Sequence, residues 1–365
     1  MKRVVIAVFI CSFIAAQLPV NFVIAHKINP KVVEYLTGET ISYDHHAQPG
    51  TPSSEADPRI ESRTFYSFPE WYIVYSAQEY GNFIQQGGRP SQFPYFHAIG
   101  QMWSSWEYSS LLAEDVPDST TNTILWTIAI SFSIEYGLIG IYENTIGRLS
   151  EWLHFGRQTK EDQYIEEQAV TYGNFLNQVP WYDFPYLATL SGLWKTWGWS
   201  SITPRGIERK VAYTIGYGGK AIYAAVIRGL SEASFEGGAG QVTYATVQAN
   251  ETIIASTGLA STKIADTVFE LEFPRYRAFT EPAVSFAQDG GEFLQIQGHS
   301  VIAVSVTTMS DTKCPVLSET QSYKMPLVTD PNIIRYMLSL EVQELSTHIK
   351  SLTQCDLEIE HIYDY

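Results

Sequence analysis

Ile124-Leu-Trp-Thr-Ile-Ala-Ile-Ser-Phe-Ser-Ile-Glu-Tyr-Gly-Leu-Ile-Gly-Ile-Tyr142 decides how this chain is read. The run is about 19 residues long with one charge, Glu135, which is enough to cross a hydrocarbon core of about 30 Å. Asp118, Ser119 and Thr120 precede it with N-cap chemistry. The rival is a buried central helix of a soluble domain, which Glu135 favours. Composition favours the bilayer: of 365 residues, 45% are hydrophobic and 17% charged, below the roughly 25% charged of soluble domains. Aromatics reach 14%, and abundant Trp and Tyr suit a membrane and its interfaces.

Working outward, Val4 to Ala25 holds no charge over about 22 residues and follows Lys2 and Arg3, so residues 1–26 read as an N-terminal anchor. The alternative is a signal peptide cleaved after Val23-Ile24-Ala25, but the apolar stretch exceeds the roughly 7–15 residues of an ordinary h-region. Val211 to Leu230 is a candidate third span. Lys220 at its centre would cost about 2.5–3.5 kcal/mol at mid-bilayer, so the segment either spans with help or lies in the interface. Arg148, Arg157, Lys160, Lys195, Arg205, Arg209 and Lys210 place Asn144 to Lys210 in the cytoplasm by the positive-inside rule. The C-terminal part is periplasmic if the third segment crosses and cytoplasmic if it does not.

Residues 27–121 form a linker and an aromatic helical segment. Gln48 to Ser62 is rich in Pro, Ser and acids and reads as the linker. Ser67-Phe-Pro-Glu70 and Ser76-Ala-Gln-Glu79 both fit capping boxes, so two short helices are expected before Gly87-Gly88. A longer helix then starts near Pro94 and runs towards Leu112. Residues 122–240 form a membrane-associated helical region, and its aromatic cluster from Trp181 to Trp199 reads as a re-entrant or interfacial segment.

Residues 241–365 change character to soluble α+β. Val268 to Phe273 and Glu292 to Gln297 alternate like strands around a helix from Phe279 to Gln288. Tyr336 to Val342, Gln343 to Leu352 and Leu357 to Tyr363 repeat the strand-helix-strand order. Two such units resemble the ferredoxin-like split βαβ arrangement, with Val301 to Thr308 added through a hairpin at Gly298-His299-Ser300.

The net charge of −16 excludes nucleic acid, whose binding depends on Lys and Arg. Glu135 and Lys220 are an intramembrane pair of structural or functional role, since pairing lowers the insertion cost of both. Glu143 with Glu151-x-x-His154 resembles half of a carboxylate-bridged metal site; the second Glu-x-x-His that such sites need is missing, so a solvated helix end is favoured. Asp44-His45-His46 lacks a further ligand, and Gly216-x-Gly218-Gly219-Lys220 falls short of a phosphate-binding loop. His299 and His361 read as surface residues. Cys314 and Cys355 are the candidate disulfide, Cys11 lying in the first apolar run. No nucleophile with a base at readable spacing occurs, and no cofactor is implied.

These features lead to a membrane-anchored binding or scaffolding protein of the cell (inner) membrane. Its partners are the lipid bilayer and a protein bound through the C-terminal domain. The alternative is a membrane-embedded enzyme or transporter that uses the carboxylates of the second span and its extension.

Overall fold

A computed structural model describes residues 63–113, 119–195, 203–234 and 242–364. The anchor at 1–26, the linker, Asp44-His45-His46, Trp197 and Trp199 lie outside the described residues. The chain divides into two compact units. One is helical and contains residues 74–99, 127–195 and 203–234 of the described set. The other holds 63–73, 100–113, 119–126 and 242–364, so the α+β part is completed by segments from far upstream rather than beginning near 241.

The helices are α1 (Phe68–Gln85), α2 (Tyr95–Leu112), α3 (Ser119–Tyr142), α4 (Arg148–Leu153), α5 (Lys160–Leu176), α6 (Tyr186–Lys195) and α7 (Pro204–Ser234). α1 is one helix where two short ones were expected: the Ser76 hydroxyl donates to Tyr136 instead of capping a new N-terminus. α5 does start on a capping box, with Thr159 Oγ1 accepting from Asp162 N at 3.1 Å and the Asp162 carboxylate accepting from Thr159 N at 3.0 Å. Leu125–Leu153, 29 residues, is the one described stretch long and apolar enough to cross a membrane, its most apolar 18-residue window having a mean hydropathy of 1.4. Part of the aromatic cluster after Pro180, read as a re-entrant or interfacial segment, forms a packed core. Phe184 and Tyr186 are buried and gather Tyr172, Phe175, Trp181, Tyr182 and Tyr217 around them.

The α+β unit contains two four-stranded antiparallel sheets. The first comprises β1 (Val242–Gln248), β2 (Ala260–Lys263), β3 (Val268–Pro274) and β4 (Glu292–Ile296), with α8 (Glu251–Thr257) after β1 and α9 (Arg277–Gln288) after β3. The second repeats this plan with β5 (Val301–Met309), α10 (Pro315–Glu319), β6 (Gln321–Pro326), β7 (Ile333–Glu341), α11 (Leu345–Gln354) and β8 (Glu358–Ile362). Edge to edge the orders are β2-β3-β1-β4 and β6-β7-β5-β8. The correspondence reaches single residues. Ala245 pairs Leu271 as Val304 pairs Leu338, and the register slips between Thr246 and Val247 as it does between Ser305 and Val306. Gly290 and Asp356 both turn through positive φ before the last strand.

The two βαβ units read from the sequence therefore belong to different sheets. Gly298-His299-Ser300 is the passage between sheets rather than a hairpin within one. One apolar core joins the halves: Phe279, Ala283 and Phe286 of α9 and Leu345, Ile349 and Leu352 of α11 are buried in the same cluster as residues of both sheets. α9 also packs against β8, and α11 against β4, so each helix helps to cover the other sheet. Cys314 and Cys355 form a disulfide, Cα to Cα 5.8 Å, which ties the start of α10 to the end of α11. From the upstream segments, Thr64 Oγ1 donates to Tyr363 O at 3.4 Å, Gln101 Nε2 donates to Pro326 O at 2.6 Å, and Trp71 stacks on His361 with ring centroids 3.6 Å apart.

Candidate functional site

The end of α3 does not pass straight into α4: Glu143–Gly147 form a π-turn, whose extra residue shifts the helix phase. Through the turn and α4, Glu143, Gly147, Ser150 and Glu151 are buried while Asn144, Thr145, Arg148 and Leu149 face outward. α7 meets this inward face with Arg205, Glu208 and Arg209, at the i, i+3, i+4 spacing that puts side chains on one side of a helix, and Lys210 follows at the next position.

Arg209 is fully buried and grips both oxygens of Glu143, at 2.8 and 3.1 Å, while its Nε and Nη2 donate to Glu208 at 2.8 and 2.6 Å. Planar bidentate pairing of this kind is the strongest arrangement open to a guanidinium. Arg205 lies 2.9 Å from Asp162 and 3.3 Å from both Glu151 and Glu208, and it donates to Gly147 O at 3.1 Å and Ser150 Oγ at 2.7 Å. Ser91 donates to Glu151 at 2.6 Å, and the Tyr142 hydroxyl makes a short hydrogen bond to Glu208. Lys210 lies 3.3 Å from Glu161 and over the Trp194 ring. Gly147 has a specific reason to be glycine, since a Cβ there would collide with the Glu143 carboxylate and come within 3.2 Å of Arg209.

Three cations thus meet five carboxylates in a region nearly closed to solvent. The network joins the π-turn, α4, α5 and α7. Farther along, Lys220 Nζ sits 2.7 Å from Glu135 and 4.8 Å from the centre of the Tyr172 ring. As the paired positions step back along α3 from Glu143 to Glu135, they step forward along α7 from Arg209 to Lys220. α3 and α7 are therefore antiparallel neighbours.

No protein-family model, curated protein or solved structure matches this chain. The site must be read from its own chemistry. Glu143 and Glu151, read as half of a metal site, face Arg209 and Arg205 instead, and His154 ends α4 half-buried. Among the described residues no three His, Cys, Asp or Glu side chains are arranged to hold a metal ion. Gly216 to Lys220 is continuous helix within α7, not a phosphate-binding loop. His299 and His361 are fully buried, contrary to their reading as surface residues. The sequence reading also missed the roles of Ser91, Glu161, Asp162, Glu208, Arg205, Arg209 and Lys210, taking the last three as loop charges that set topology. The available signal was the spacing along α7. Its outward positions, Pro204, Ile207, Val211, Thr214, Ile222 and Ala225, carry no charge, whereas its charges from Arg205 to Lys220 fall on the other side.

Proposed function

We propose that this is an anchoring protein of the cell (inner) membrane, whose helical unit sits in the bilayer and whose α+β unit presents a binding or scaffolding surface outside the cytoplasm. The observation that carries the reading is inverted polarity. Ion pairs fill the interior between α3–α4 and α7, while Ile141, Ile146, Leu149, Trp152, Ile207, Val211 and Ile222 are exposed on the same helices. In water the favourable arrangement is the reverse, because burying charge is costly and exposing large apolar side chains gains nothing. A surrounding apolar phase removes the contradiction. Polar groups on α3 and the π-turn support the same reading by bonding back to the helix: half-buried Ser133 to Ala129 O at 2.7 Å, and exposed Asn144 to Gly140 O at 2.8 Å and Thr145 to Ile141 O at 2.7 Å.

Chain connectivity supports a crossing by α7 as well as α3. Residues 63–73 and 100–113, before α3, belong to one α+β unit with residues 242–364, after α7, so a single crossing by α3 would tear that unit across the membrane. α7 must return, and Lys220 is relieved by Glu135. The exposed bases Arg148, Arg157, Lys160 and Lys195 favour a cytoplasmic position for the distal end of the pair. The Cys314–Cys355 bond favours an oxidising compartment for the α+β unit. The strand orders and the repeated β-α-β-β-α-β plan support reading each half of that unit as ferredoxin-like.

Sidedness tests this in a Cys11→Ser background. A membrane-impermeant maleimide applied to spheroplasts is expected to label Met309→Cys, whereas Lys160→Cys reacts only after permeabilisation; the opposite pattern refutes the topology. One observation favours the alternative of a membrane-embedded transporter or enzyme, namely the excess of carboxylates over cations in the network. Proton uptake or release by reconstituted protein that disappears in Glu208→Gln would support that alternative.

A further inference from the structure

α4 ends in an unusual way. After His154, Phe155 and Gly156 adopt positive φ in succession, 55° and 66°, and Gly156 N donates back to Glu151 O at 2.9 Å. Left-handed backbone suits Gly156, but for Phe155 it is strained by the side chain. The turn is held by Arg89, whose guanidinium donates to Gly156 O at 3.3 Å and fills the space where a Cβ would stand. This bracing directs Phe155 outward. Its exposure is 87%, beside Trp152 at 72% and Leu153 at 55%. Among the described residues of the helical unit nothing covers these three side chains, so packing there does not explain the strain.

Most charges around this knuckle are sorted by sign, the exceptions being Glu166, which accepts from Gln158 at 3.4 Å, and exposed Glu167. Glu143, Glu151, Glu161 and Asp162 all turn inward onto Arg205, Arg209 or Lys210. Arg89, Arg148, Arg157 and Lys160 are exposed. The knuckle therefore shows an apolar tip of Trp, Leu and Phe with positive charge around it. An anionic lipid surface suits both parts: aromatic side chains favour the zone between headgroups and acyl chains, and Lys and Arg are drawn to anionic headgroups.

We propose that Trp152, Leu153 and Phe155 insert at the headgroup boundary of an anionic leaflet while Arg89, Arg148, Arg157 and Lys160 contact its phosphates. The inference rests on the membrane reading above, since α3 and α4 bring the knuckle to the bilayer. It adds a lipid preference that a spanning helix does not by itself require.

The test uses the full chain in a Cys11→Ser background, reconstituted into nanodiscs of phosphatidylcholine alone or mixed with phosphatidylglycerol. An environment-sensitive fluorophore is attached at Phe155→Cys, and in a separate sample at Ile141→Cys on α3. The expected result is a blue-shifted Phe155→Cys signal in anionic discs that returns towards the aqueous value in neutral discs. The same loss is expected in 1 M salt, where the screening length falls to about 3 Å, and in the triple variant Arg89→Gln, Arg157→Gln, Lys160→Gln. The Ile141→Cys signal should stay lipid-like throughout. A water-like Phe155→Cys signal in anionic discs, with Ile141→Cys lipid-like, overturns the inference and leaves the membrane reading standing. Water-like signals at both positions overturn both. An equal blue shift in neutral and anionic discs overturns the lipid preference, and a shift that follows protein concentration in detergent assigns the knuckle to a second copy of the chain instead.

Discussion

Arg209 on α7 holds both carboxylate oxygens of Glu143, the first residue of the π-turn after α3, and neither side chain has appreciable contact with solvent. Breaking such a pair from one side leaves an uncompensated buried charge, which costs about 3–5 kcal/mol, whereas replacing both partners by apolar groups is often nearly neutral. Arg209→Met should therefore sharply lower the denaturation midpoint of detergent-solubilised protein. Arg209→Met with Glu143→Leu should recover part of that loss, the remainder reflecting Glu208, which also depends on Arg209. Equal losses in the single and double variants would show that the pair contributes nothing as a pair.

The π-turn gives a steric counterpart. Gly147→Ala places a methyl group against the Glu143 carboxylate, so it should destabilise the protein by roughly 1–3 kcal/mol, as overpacking does. Glu143→Ala opens that space, so a double-mutant cycle by chemical denaturation should show strong coupling. Additive effects would mean that the two groups do not meet.

The long helix through Ile124 to Tyr142 was legible because hydrophobic length is a local property of sequence, and this run displays it with Glu135 as its one charge. Glu135 and Lys220 could be paired because Glu135 is the lone charge of its apolar run and Lys220 the central one of its own, and the structure places them 2.7 Å apart. The ion network was hidden for the opposite reason. Arg205, Arg209 and Lys210 lie among other charges, and a row of basic residues looks the same whether it faces water or five carboxylates. In the α+β unit, β3, β4, β7 and β8 alternate clearly, but exposed β2 and β6 do not, so a duplicated pair of sheets was read as one. His361 was misplaced because its partner Trp71 lies far upstream, and no periodicity around either residue announces the contact.

His361 also makes acid a specific stress for the α+β unit. Burial, with Arg277 adding to it, holds the imidazole well below its ordinary value, and its Nε2 has no hydrogen-bond partner among the described residues. The unfolded chain takes up a proton below about pH 6.5 while the folded unit does not, so stability is fully present above that value and declines as pH falls through it. The slope attributable to this group should approach about 1.4 kcal/mol per pH unit. Denaturation between pH 7.5 and 5 measures it, and His361→Phe should flatten that part of the profile. An unchanged profile in the variant would assign the acid sensitivity to other groups.

Cys314 and Cys355 close a loop with a sequence separation of 41, for which chain-entropy reasoning gives about 4 kcal/mol of stabilisation. Cys355→Ser should lower the unfolding midpoint of the α+β unit by a corresponding amount, and reductant should act on the parent protein but not on the variant. Protein isolated from membranes with alkylation should carry no free thiol at either position. Quantitative alkylation of Cys314 without reductant would place the unit in a reducing compartment.

The most direct test of the central claim is what surrounds the uncharged outer faces of α3–α4 and α7. Spin labels at Leu149→Cys, Val211→Cys and Ile222→Cys, with Met309→Cys in the α+β unit as an aqueous reference, can be probed in nanodiscs for collisions with oxygen and with a water-soluble nickel chelate. All four parent residues are exposed, so any difference reports the surrounding phase rather than burial. Lipid around the ion-paired interior requires the labels at 149, 211 and 222 to meet oxygen readily and the chelate rarely, with the reverse at 309. Chelate access at 211 and 222 equal to that at 309 would put α7 in water and contradict a bilayer built around these two helices.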